Sequence, residues 1–159
     1  MSRRLLVVLL GCLAVVVGSA APASAGPPVT STNTARNVVE TFADVVATCE
    51  GEGGPLYVVT VTSNVIEHET VFDDGRVHAT FTQAGKVSAV PMDPTLGLPS
   101  YTGRLAVWGG FNANGAETNS TFTFNIKLTG SDGSKVSQHS VEHSDQRPDG
   151  TVHEFFRCH

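Results

Sequence analysis

The sequence is poor in the residues that usually announce an activity. No G-x-S-x-G elbow, H-E-x-x-H pair, phosphate-binding loop or dinucleotide fingerprint occurs, so no motif-bearing hydrolase, metalloprotease or nucleotide enzyme is indicated. Helix formers are sparse from Leu56 onward, which argues against a bundle. No second apolar run of ~20 residues follows the first, so no spanning helix is expected after residue 25. Cysteine is scarce as well, with three in the chain.

What the chain does have begins at its N-terminus. Arg3 and Arg4 precede an apolar run from Leu5 to Val17, and small residues lead to Ala23-Ser24-Ala25. That is the charged head, apolar middle and A-x-A site of a secretory signal peptide, residues 1–25. Leu9-Leu10-Gly11-Cys12 faintly matches a lipoprotein box, but Cys12 lies within the apolar run and not at its end. The expectation is plain secretion, with no membrane attachment after cleavage.

Cleavage after Ala25 leaves 134 of the 159 residues, enough for one domain with its own core. Loss of Arg3 and Arg4 leaves eight Lys and Arg against fifteen Asp and Glu, a net charge of −7. The linear sequence shows no basic stripe, so neither nucleic acid nor an anionic membrane is expected as partner. Cys49 and Cys158 remain, and in an oxidising compartment they are expected to pair.

Residues 26–35 are rich in Pro, Ser and Thr and read as a flexible arm. Residues 36–55 form a lead-in of undecided type, because Val38, Phe42 and Val45 fit helical spacing while alternation is weak. From Leu56 the chain reads as strands at 56–62, 65–73, 76–83, 86–91, 102–112, 118–130, 135–144 and 151–158. Asp74-Gly75 and Asp132-Gly133 are read as two-residue hairpin turns, and Ser63-Asn64 as a third tight turn. The first places Phe72 opposite Val77 and turns Ile66, His68, Thr70, Val77, Ala79 and Phe81 inward. The second places Ile126 opposite His139 and Phe122 opposite His143. Phe122, Phe124, Ile126 and Leu128 alternate with polar residues and define an inner face, as do Tyr57, Val59 and Val61.

These expectations combine into an all-β, eight-stranded antiparallel up-and-down barrel with one disulfide in residues 36–159. A β-sandwich is the alternative. Asp73-Asp74-Gly75 and Ser131-Asp132-Gly133 lack the spaced carboxylates of a calcium loop and read as turns. Asn119-Ser120-Thr121 fits a glycosylation sequon, and Trp108 reads as core or rim packing.

By these registers Tyr57, His68, Phe81, His139, His143 and Glu154 line a lumen. His139, His143 and Glu154 form a candidate site for Zn²⁺ or for acid–base chemistry. Against that stands a simpler reading, in which buried histidines hydrogen-bond to Thr, Ser or Glu154. Three functions follow: non-enzymatic binding of a small apolar or amphipathic molecule, a metal-assisted hydrolase or cyclase, or an extracellular protein-interaction module or inhibitor. The sequence carries no sign of oligomeric state.

Phe42-Ala43-Asp44, Cys49 before a Val/Thr strand, Glu67-His68-Glu69-Thr70, Val77-His78-Ala79-Thr80, Ser100-Tyr101-Thr102-Gly103 and Gly130-Ser131-Asp132-Gly133-Ser134 together carry a resemblance. Over Thr41 to Cys158 the chain resembles small secreted β-rich proteins of high-GC Gram-positive bacteria. That resemblance implies no activity. The expected architecture is similar to calycin-like barrels, although no lipocalin G-x-W lies near residue 26.

Overall fold

The structure is a computed structural model that describes residues 26–46, Cys49 and residues 53–159. The proposed signal peptide and Cys12 lie outside the described residues. Val, Thr and Phe at alternate positions suit a pleated surface with one buried face, and most of the described chain is strand. The strands are β1 (Val29–Val45), β2 (Leu56–Val71), β3 (Val77–Pro91), β4 (Tyr101–Asn114), β5 (Glu117–Gly130), β6 (Lys135–Gln146) and β7 (Val152–Cys158). Each pairs antiparallel with the next in one seven-stranded meander. The sheet is open, since β1 and β7 do not pair, so the expected eight-stranded closed barrel is corrected.

The strand count changes for local reasons. Ser63-Asn64 is not a turn; β2 runs through it. Opposite Asn64, β1 carries a bulge between Ala35 and Val38, and the Asn37 N–H donates to Asn64 Oδ1 at 3.1 Å. The polar pair thus satisfies a bulge within the ladder. Gly85 does not break β3 either. It lies where a Cβ would press on the Thr62 carbonyl and the Ser63 backbone. Val29–Val45, from the segment expected as an arm and a lead-in, forms β1 and pairs with β2.

The hairpin turns hold one residue more than the two-residue reading allows. In Asp73-Asp74-Gly75 the Phe72 N–H donates to the Arg76 carbonyl and Gly75 N–H to the Phe72 carbonyl. The same pattern closes Ser131-Asp132-Gly133 between Gly130 and Ser134, and Pro148-Asp149-Gly150 between Arg147 and Thr151. In each, only the glycine has positive φ, at 83°, 85° and 83°. This is a type I turn closed by a left-handed glycine, the usual three-residue hairpin. The aspartate completes it by accepting the N–H two residues on, with Oδ1 at 3.1 Å from Arg76 N, 2.9 Å from Ser134 N and 2.8 Å from Thr151 N.

The extra residue moves the register by one and exchanges faces. Phe72 does not face Val77; Val71 does, and Thr70 faces His78. Phe122 faces Glu142, and Ile126 faces Gln138. The inner face of β2 is therefore Tyr57, Val59, Val61, Ser63, Val65, Glu67 and Glu69, while Ile66 and His68 point outward. On β5 the inner face is the expected one, with Phe124 and Leu128 buried.

A sheet with no second layer buries its apolar face by curling around it. Tyr57, Val59, Val61, Val87, Ala89 and Leu128 form the buried cluster, joined by Phe42, Leu105 and Val136 from strands across the sheet. Cys49, just past β1, is bridged to Cys158 at the end of β7, across 109 residues with Cα atoms 5.4 Å apart. The bridge ties the two sides of the open sheet together, and its presence suits an oxidising compartment. We expect the Cys49→Ser/Cys158→Ser variant to lose about 4–5 kcal/mol in denaturant unfolding, the chain-entropy value for so long a loop. Gly85→Val should cost about 3 kcal/mol through backbone collision.

Candidate functional site

The inner face divides into an apolar end and a polar end. At the apolar end Tyr57 and Tyr101 lie with ring centroids 5.9 Å apart. Burial, and then the nearby Tyr101 and Asp132, raise the Tyr57 phenol above its ordinary pKa. At mid-sheet Ser63, Gln83, Gln138 and Ser140 are buried. Gln83 Nε2 donates to both Ser63 Oγ and Glu40 Oε2 at 2.9 Å, which satisfies those groups. Gln138 is only 8% exposed; its Nε2 reaches Ser140 Oγ at 3.4 Å, but its Oε1 has no partner. A buried acceptor without a donor carries a desolvation cost of roughly 1–3 kcal/mol.

Beyond mid-sheet the pairing sets Glu67, Phe81, Gly109, Phe122, Glu142 and Phe156 in one row across β2 to β7. The next row holds Glu69, Ala79, Phe111, Ser120, Ser144 and Glu154. The Phe81 and Phe122 rings meet over Gly109, centroids 5.3 Å apart, where a Cβ would strike the Phe122 ring. Phe156 is 48% exposed. The result is a set of phenyl rings interspersed with carboxylates at the open end of the inner face.

No base answers those carboxylates. Every Lys and Arg at a register-paired strand position, namely Lys86, Arg104, Lys127, Lys135 and Arg157, is on the outer face. Of the paired glutamates only Glu117 joins them, while Glu40, Glu67, Glu69, Glu142 and Glu154 are inner. Among the described residues the ion pairs Arg76–Asp74 and Arg147–Asp145 involve none of the inner carboxylates. Glu142 shows the consequence: burial first, and then the charge of Glu154, hold its carboxyl above the usual carboxylate range.

The expected lumen set is only partly brought together. Tyr57, Phe81 and Glu154 are on the inner face. His68, His139 and His143 are on the outer face, a correction that follows from the three-residue turns. There His68 Nδ1 bonds Thr32 Oγ1 and His143 Nδ1 bonds Thr121 Oγ1, both at 2.8 Å. The proposed metal set of His139, His143 and Glu154 is therefore split across the sheet. Among the described residues no group of three His, Cys, Asp or Glu side chains is placed to hold a metal. Trp108, expected in core or rim packing, is 41% exposed on the outer face.

Glu67, Gln138 and Glu142 escaped the sequence reading, whereas Phe122 was placed on the inner face by alternation. On β6 both parities are polar, since Val136 and Val141 fall on opposite faces, so alternation there favours no register. Only the turn length could have revealed them. Compared with family models, curated proteins and solved structures, the chain matches none.

The raised Glu142 pKa has a defined sign. The folded chain holds that proton to higher pH than the unfolded chain does, so stability falls as pH rises through the shifted range. Glu142→Gln should raise the thermal midpoint at neutral pH by about 1–2 °C, given solvent screening of a half-exposed group. The gain should vanish below the ordinary glutamate range, where Glu142 is protonated in the folded and the unfolded chain alike.

Proposed function

We propose that this is a secreted, non-enzymatic binding protein that holds an amphipathic cation at the open end of its inner face. The observation that carries the reading is the set of Phe81, Phe122 and Phe156 interspersed with Glu67, Glu142 and Glu154 with no basic partner. Phenyl faces attract cations and cover apolar chains. The carboxylates are acceptors without basic partners, so the complementary ligand is a donor with positive charge. A ligand cation would also relieve the Glu142–Glu154 repulsion. The disulfide and the N-terminal A-x-A segment support an extracellular setting.

Calorimetric titration with dodecylammonium below its micelle threshold tests this. Saturable binding is expected, with uncharged dodecyl maltoside inert. Glu142→Gln/Glu154→Gln should weaken it about tenfold, a loss of ~1.4 kcal/mol. Equal binding of both amphiphiles, or an unaffected double variant, would overturn the proposal.

A further inference from the structure

The outer face carries a second arrangement, independent of the inner one. Lys86 pairs with Arg104 and Arg104 with Lys127, so three cations stand side by side on β3, β4 and β5. Adjacent strands are about 4.8 Å apart, and like charges directly opposite one another oppose folding. The rows on either side relieve none of it. One holds Asn64, Ala84, Ala106, Asn125 and His139; the other holds Thr60, Ser88, Thr102, Thr129 and a further cation, Lys135. Neither row contains Asp or Glu, although the whole chain has a net charge of −5.

The surface there is also shaped. A depression of about 420 Å³ opens between Thr60 and Thr62 on one side and Thr102 and Arg104 on the other, with Lys86 and Ser88 across its middle. Two cations and four hydroxyls surround it, a donor set for an oxyanion. Two residues further along β4 the surface is floored by Ala84 and Ala106, a directly paired couple. Beyond that floor stands Trp108, on the same face of β4 as Arg104 and about 14 Å from it along the strand. A cation row, a flat floor flanked by amides and an exposed indole follow one another across the strands.

We propose that this outer face binds an anionic polysaccharide. Its acidic groups sit on Lys86, Arg104 and Lys127 with the neighbouring hydroxyls, and a sugar ring lies across the alanine floor against Trp108. Simple polyanions would satisfy the cations but leave the indole without a role. Neutral glycans would do the reverse.

Trp108 is the chain's only tryptophan, so its emission reports on this surface alone. Titration of the protein with polygalacturonate should shift that emission and saturate, with affinity falling as ionic strength rises. Neutral dextran should give no shift. Lys86→Gln/Arg104→Gln/Lys127→Gln should weaken polygalacturonate at least tenfold by calorimetry, with the circular dichroism of the sheet unchanged. Arg147→Gln, in the last hairpin turn, should match the parent. Trp108→Ala should weaken polygalacturonate several-fold and leave inorganic polyphosphate binding unchanged. A triple variant that binds polygalacturonate as the parent does would overturn the proposal. Equal affinity of the parent and Trp108→Ala for polygalacturonate would overturn it in favour of a sugar-independent polyanion surface.

Discussion

One residue in each Asp-Gly hairpin governs this molecule. Each Asp-Gly turn takes three residues because the glycine alone adopts the left-handed conformation and the aspartate locks the N–H two positions on. A strand has a side-chain period of two, so that residue decides which half of the next strand faces the core. With it, β2 and β6 turn their glutamates inward and their histidines outward. A two-residue turn would have done the opposite with the same sequence.

The segregation of charge follows directly. Bases at paired strand positions are outer and nearly all the paired glutamates inner, so the sheet has two faces of opposite character. Among the described residues no second layer covers them. Among the described residues neither the inner glutamates nor the paired-strand bases take part in an ion pair, and that is what makes both faces readable as surfaces for something else. The inner end offers acceptors and phenyl rings; the outer face offers donors and an indole.

Burial in a single sheet requires curvature, and curvature requires room. Gly85 and Gly109 remove the side chains that would collide where strands approach closely, and the phenyl rings of Phe81 and Phe122 close over the gap at Gly109. The disulfide then joins the chain after β1 to the end of β7, restraining the two sides that hydrogen bonding leaves unjoined. Glycine placement and the bridge together do what ladder closure does in a barrel.

The all-β class, most strand positions, the Cys49–Cys158 bridge and the inner face of β5 were legible in the sequence. Composition, a two-cysteine remainder and the strict alternation of Phe122, Phe124, Ile126 and Leu128 are local signals. Tyr57 and Phe81 were placed inward for the same reason. The candidate site was legible only in part, because the halves of β2 and β6 that carry it are polar on both faces and alternation there favours neither register. The Ser63-Asn64 pair looked like a turn because its partner, the β1 bulge at Asn37, lies 27 residues away. The cation row was invisible for a related reason: Lys86, Arg104 and Lys127 are far apart along the chain and become neighbours only through three strand pairings. Composition and alternation determined what kind of surface each segment makes. Which surfaces meet, and on which side of the sheet, was decided by turn geometry and long-range register, which no local pattern encodes.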